Sequence, residues 1–121
     1  MFISLVTGAA QVRAGKLRGY GVTSARRQPS FPDLPAIGEV VNGFESTAWF
    51  GVFAPAQLSP ALTDRFNAVI RAALDDPVLR AQLESEGATP AGISAADFAA
   101  FVRADVARWA PVVRQSGARP D

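Results

Sequence analysis

Of the side chains that do chemistry in proteins, this sequence offers serines, threonines, carboxylates, arginines and a single lysine, with no cysteine and no histidine. A serine nucleophile ordinarily hands its proton to an imidazole, so the usual hydrolytic triad cannot be assembled. A Ser–Lys pair would need Ser24 beside Lys16, and nothing in the spacing places them together. Adjacent carboxylates occur at Asp75–Asp76 and Glu84–Glu86. Both pairs fall at helix ends, where Asp76 reads as a cap and Glu84 as a solvated residue, not as an acid–base couple. Without thiolate or imidazole, nearly all zinc chemistry drops out. Gly15, Gly19 and Gly21 do not form a phosphate loop: Gly19-x-Gly21 lacks the following x-x-Gly and lies within a strand-like stretch. Neither an enzyme nor a cofactor is expected.

Trp49-Phe50-Gly51 lies in the most apolar stretch of the chain. A glycine between aromatics in a strand lets another backbone or a ligand come close; core packing accounts for the same three residues.

The elements that would position them read as follows. Phe2-Ile3-Ser4-Leu5-Val6 is apolar and partly β-branched, which predicts a short buried strand. Thr7 is placed to cap a short helix over 8–14 that Gly15 would stop. Leu17–Thr23 predicts a second strand, tolerable with two glycines only if something packs closely on its backbone. Strand, helix, strand is a βαβ unit, and such units build parallel sheets. Pro29, Pro32 and Pro35 make Gln28–Pro35 an extended surface connection. A helical turn over Ile37–Val41 precedes the turn signal Asn42-Gly43. Ser46–Ala54 predicts a buried strand ending at Pro55.

The second half is helical. Ser59-Pro60 and Asp76-Pro77 are N-cap plus first-turn proline signals. Leu62, Phe66, Val69, Ile70 and Leu74 recur at helical spacing, and Val78, Leu79 and Leu83 continue the pattern up to Gly87. Ser94 with Asp97 resembles a capping box. The last helix carries Phe98, Phe101, Val102, Val106, Trp109 and Val113 on one face, a stripe that reads as core, with a kink expected near Ala107–Ala110 from Pro111. The fold class is therefore α/β: short parallel strands followed by packed C-terminal helices.

At 121 residues, 49% of them hydrophobic and 19% charged, the chain has the composition of a packed globular domain or a large piece of one. A net charge of +1 gives no broad basic face; Arg26–Arg27 with Arg18 and Lys16 reads as a solvated rim, so nucleic acid is not an expected partner. No apolar run approaches the length of a membrane span. Met1–Ala10 has some signal-peptide character but lacks a basic start and is followed at once by Gln11, Arg13 and Lys16. It reads as structure, and no export signal is expected in this chain.

Several segments in order resemble the substrate-binding receptors of tripartite tricarboxylate transporters, the Bug family. They are Val12–Arg18, Val22–Arg27, Pro32–Pro35, Trp49–Ala56, Asp76–Val78, Gly87–Pro90, Arg108–Arg114 and Gly117–Asp121. One such motif is weak; the ordered set spans nearly the whole chain. The resemblance implies a periplasmic protein with a periplasmic-binding-protein type II-like fold, in which two α/β lobes close on a ligand. That ligand would be a small organic acid, a di- or tricarboxylate or an acidic amino acid, delivered to a membrane permease without chemistry.

On that resemblance the chain is a carboxy-terminal part of the receptor. Residues 1–28 would be the last strand–helix–strand of the second lobe, 29–45 a Pro-rich crossover, and 46–121 a strand and helices of the first lobe. The family often has an acidic residue where Ile3 stands. The resemblance implies Ser4, Thr7, Thr23, Ser24, Trp49 and Phe50 at the cleft, with Arg18 or Arg26 as contributing cations; each of the four hydroxyls has a cap or turn role as its alternative. The alternative is a free-standing domain that self-associates through exposed strand edges.

Overall fold

The computed structural model describes residues 1–119. Four α-helices are present: α1 (Leu5–Arg13), α2 (Pro60–Asp75), α3 (Pro77–Ser85) and α4 (Ala95–Ser116), with a 3-10 turn at Ile37–Glu39. Two units are distinguished by their internal contacts. Unit 1 comprises Met1–Phe53 and Leu74–Pro90, and unit 2 comprises Ala54–Ala73 and Ala91–Asp121. The last two residues, 120 and 121, which complete the final family-like segment, lie outside the described residues.

In unit 1 the strand expected over Phe2–Val6 does not form. Leu5 and Val6 belong to α1, and Ser4, not Thr7, occupies the N-cap position, with extended backbone. The Ser4 carbonyl accepts from the amides of Thr7 and Gly8 at 3.1 and 2.9 Å. A lone strand has no partner for its backbone groups, whereas a helix satisfies them within one segment, and here the helix extends back to take Leu5. The stop is as expected: Gly15 has φ +69°. The Lys16 amide bonds the Gln11 carbonyl and the Gly15 amide bonds Val12, the paired bonds of a Schellman motif. α3 ends the same way, with Gly87 at φ +84° and Ala88 and Gly87 donating to Leu83 and Glu84.

Gln28–Pro35 is folded into two successive turns and is not extended. Phe31 donates to the Gln28 carbonyl at 2.9 Å and Leu34 to Phe31 at 3.1 Å. Pro29 and Pro32 each take the second turn position, which suits their fixed φ. The turns bring Ala36 beside Val22 in a parallel bridge. Two bonds make it, from the Val22 amide to the Pro35 carbonyl and from the Ile37 amide to the Val22 carbonyl, both 2.9 Å. The neighbouring glycine has its reason here: a Cβ on Gly21 would lie 3.0 Å from the Pro35 carbonyl oxygen. Beyond this bridge no strand is formed among the described residues; Leu17–Gly21 and Thr47–Ala54 run without helix or ladder.

In unit 2 the helix starts follow their signals. Ser59 Oγ accepts from the Leu62 amide at 3.4 Å. Ser94 Oγ accepts from the Asp97 amide at 3.1 Å and donates to its carboxylate at 2.6 Å. The shorter carboxylate thus pairs with the Ser94 hydroxyl. α4 continues through Pro111 as one helix to Ser116, with Gly117 at φ +68° after it. Asn67 Nδ2 reaches from α2 to the Ile93 carbonyl at 3.1 Å.

Little is buried. Ala9, Val22 and Ala36 are the buried apolar side chains among the described residues, and the chain exposes 9442 Å². Two separate, fully packed bodies of these sizes would together expose only about 7,500 Å². The excess exposure therefore lies within the units and not in their separation. The last-helix stripe expected to be core is only half covered: Phe98, Val102 and Trp109 are half-buried, whereas Phe101, Val106 and Val113 stand 43–64% exposed.

Candidate functional site

The six residues expected at the cleft all belong to unit 1. Ser4 is half-buried at the start of α1 and Thr7 is exposed one turn later. Thr23 and Ser24 follow the Val22–Ala36 bridge. The Thr23 carbonyl accepts from the Ser46 amide at 2.8 Å, which ties the end of this segment to the start of the aromatic one. The Ser24 hydroxyl donates to the Arg26 carbonyl at 2.8 Å and accepts from Gln28 Nε2 at 3.0 Å. It acts as a turn residue, one of the two roles open to it.

Trp49 and Phe50 lie on a stretch with neither helix nor ladder. Trp49 is half-buried, with its ring 6.4 Å from that of Phe53, while Phe50 is 80% exposed. The Thr23–Ser46 bond thus brings the second hydroxyl pair to the head of the Trp49–Phe50 segment. The Ser4 carbonyl, by contrast, is engaged within α1 by Thr7 and Gly8.

Charge is arranged more firmly than the hydroxyls. Arg27 grips Glu39 with two parallel bonds, Nε to Oε1 and Nη2 to Oε2, each 2.8 Å. Its third nitrogen donates to the Pro32 carbonyl at 3.3 Å, and Glu39 Oε1 also accepts the Ala36 amide at 3.0 Å. The hydrogen bonds from Arg27 and from the Ala36 amide lower the Glu39 carboxyl to about 2. Arg13 donates to the Ser85 carbonyl at the end of α3, 2.7 Å away, with its guanidinium over the Phe31 ring. Arg18 lies over Tyr20 at 5.3 Å. Arg18 and Arg26, the cations expected to contribute to a carboxylate site, are both exposed side chains.

A cavity of about 240 Å³ opens between Gln28–Ser30 and the end of α3, lined by Glu84, Gly87, Ala88 and Thr89. It includes none of the six expected residues. Its one ionisable group is an acid, which would repel an organic anion. Among the described residues no three carboxylates gather as metal ligands would, and no helix is long and apolar enough to cross a membrane. The roles of Arg13 and Glu39 were not foreseen. Arg13 sits in the last turn of its helix, a common place for a cation, but its acceptor lies 72 residues away in sequence.

Of the expected positions, Ser4, Thr23, Ser24 and Trp49 are half-buried, whereas Thr7 and Phe50 are exposed. Residues 1–118 match the model of the tripartite tricarboxylate transporter family receptor. The chain belongs to that family. It is 34% identical over 116 residues to the UPF0065 protein of the tcbD-tcbE intergenic region of Pseudomonas sp. strain P51, covering 93% of this chain and 34% of that protein. It is 31% identical to protein BugT of Bordetella pertussis, over 89% of this chain and 33% of BugT. A UPF0065 protein of the clcB-clcD intergenic region of Pseudomonas knackmussii is 27% identical, over 93% and 68% of the two chains. The chain thus spans about a third of the length of the first two relatives. The family is one of transporter receptors, which is not an enzyme class, and it implies a periplasmic-binding-protein-like fold.

Proposed function

We propose that these residues form part of a periplasmic receptor that holds a small organic carboxylate, a di- or tricarboxylate or an acidic amino acid, and presents it to the membrane permease of a tripartite tricarboxylate transporter. On this reading the chain does no catalysis. Residues 1–28 belong to the second lobe, 29–45 cross over, and 46–121 belong to the first lobe. Ser4, Thr7, Thr23 and Ser24 offer hydroxyls and backbone amides toward the cleft, and Trp49 and Phe50 form part of its wall. Hydroxyls, amides and ordered water suffice for a carboxylate, each charge-assisted bond contributing about 1.5–3 kcal/mol.

The observation that supports this reading is the state of the extended segments. Leu17–Gly21 and Thr47–Ala54 have the composition of buried strands, yet they run without a ladder, and Phe50, Val52 and Phe53 stand 66–80% exposed. Such segments fit a sheet whose other strands are supplied by the rest of a two-lobed receptor, giving the α/β character that the sequence pattern predicts.

The test is isothermal titration of this chain against di- and tricarboxylates and acidic amino acids, beside a relative of full family length. The full-length receptor is expected to bind one of these acids and the 121-residue chain not to reach micromolar affinity. Micromolar binding by the chain alone would overturn the shared-cleft reading. A defined, soluble dimer in light scattering would count against it as well.

A further inference from the structure

The stretch from Val22 to Glu39 is closed on itself to a degree that a loose connection between elements would not need. Its ends meet in the parallel bridge of Val22 with Ala36, and its interior holds two turns with proline in the second position. Ahead of the first turn, the Ser24 hydroxyl bonds the Arg26 carbonyl and accepts from the Gln28 side-chain amide. Across all of this lies one ion pair, Arg27 to Glu39, two-pronged at 2.8 Å on both prongs and spanning 12 residues. The same two side chains hold three parts of the loop at once. Arg27 bonds the Pro32 carbonyl at the second turn, and Glu39 bonds the Ala36 amide at the bridge.

We infer that Arg27 and Glu39 are a latch that makes the Val22–Glu39 connection a rigid strap. Each partner fixes the other's planar fork, so the pair sets the relative position of Arg27 and the 3-10 turn at Ile37–Glu39 in one geometry. When the latch opens, the Val22 and Ile37 amides lose the alignment that makes the bridge, since only these two bonds form it. The strap's rigidity depends only on residues 22–39. Its consequence for lobe closure rests on the receptor reading above: closure must bend the chain outside 22–39.

Amide hydrogen exchange followed by NMR on the 121-residue chain tests the latch without any ligand, so its failure is separate from failure of the receptor reading. In Glu39→Gln, exchange at Val22 and Ile37 is expected to quicken about two- to fivefold, the range for a half-exposed ion pair. Exchange in α1 and α4 stays unchanged. Arg27→Lys keeps the charge but not the fork and is expected to quicken the same two amides. The double variant Arg27→Glu/Glu39→Arg restores part of their protection. Asp33→Asn, which removes only a distant field on Arg27, leaves them as they were. Unprotected Val22 and Ile37 amides in the unaltered chain, no change in Glu39→Gln, or an equal rise throughout the chain would each overturn the proposal.

Discussion

Two glycines in the same structural setting, Gly15 after α1 and Gly87 after α3, allow backbone strain to be separated from packing. Both close a Schellman motif at positive φ, +69° and +84°. A Cβ on Gly15 would meet nothing within 4 Å, whereas one on Gly87 would lie 3.0 Å from Leu5 Cβ and 3.5 Å from the Leu5 carbonyl carbon. Gly15→Ala should therefore cost only the left-handed conformation, about 1–2 kcal/mol. Gly87→Ala adds a contact with the rigid base of Leu5 at the start of α1, so α1 and α3 must part slightly, at a further ~1–3 kcal/mol. Urea unfolding followed by far-ultraviolet circular dichroism should lower both midpoints. With a slope of about 1–2 kcal/mol per molar, the Gly87→Ala midpoint should fall at least ~0.5 M further than that of Gly15→Ala. Equal losses, or a larger loss at Gly15, would refute the claim that α3 ends against α1.

Two further outcomes are expected. Asp76 Oδ1 accepts the amides of Val78 and Leu79 at 3.0 and 2.9 Å, so Asp76→Ala should cost about 1 kcal/mol in the same urea experiment, and Asp76→Asn much less. Glu39, bonded by Arg27 and the Ala36 amide, should titrate near 2 by NMR of its carboxyl carbon and not at the usual 4.5. Because the folded value is the lower one, the stabilisation from this carboxylate is fully present above pH 4.5 and fades as pH falls toward 2; a midpoint near 4.5 would remove the latch as drawn.

Much of the helical half was legible because its signals are local. Ser59-Pro60, Asp76-Pro77 and Ser94 with Asp97 act within one turn of themselves, and each starts the helix expected of it. Gly15 and Gly87 stop theirs for the same reason. The turn over Ile37–Val41 also formed, as Ile37–Glu39. Thr7 is not the cap because α1 begins two residues before it, at Leu5, which puts Ser4 at the N-cap position without a side-chain capping bond. The Pro-rich segment differs in shape from its expectation: proline fixes φ equally well for an extended run and for the second position of a turn, and only the bonds to Phe31 and Leu34 separate the two.

Of the candidate site, the sequence supplied the residue types but not their arrangement. The hydroxyls and aromatics at Ser4, Thr7, Thr23, Ser24, Trp49 and Phe50 could be picked out, whereas the bond between Thr23 and Ser46 and the grip of Arg27 on Glu39 join residues 23 and 12 positions apart. Composition does not encode such pairings.

By itself, then, the sequence determined where α2, α3 and α4 start, where glycine stops α1, α3 and α4, and the receptor family, because caps and ordered motifs are properties of the chain read locally. Tertiary structure alone decided which extended segments pair, which glycines are crowded and where each arginine is held. A strand takes its partner from elsewhere in the fold, so Val22 and Ala36 meet while Leu17–Gly21 and Thr47–Ala54, equally apolar to the eye, do not form a ladder.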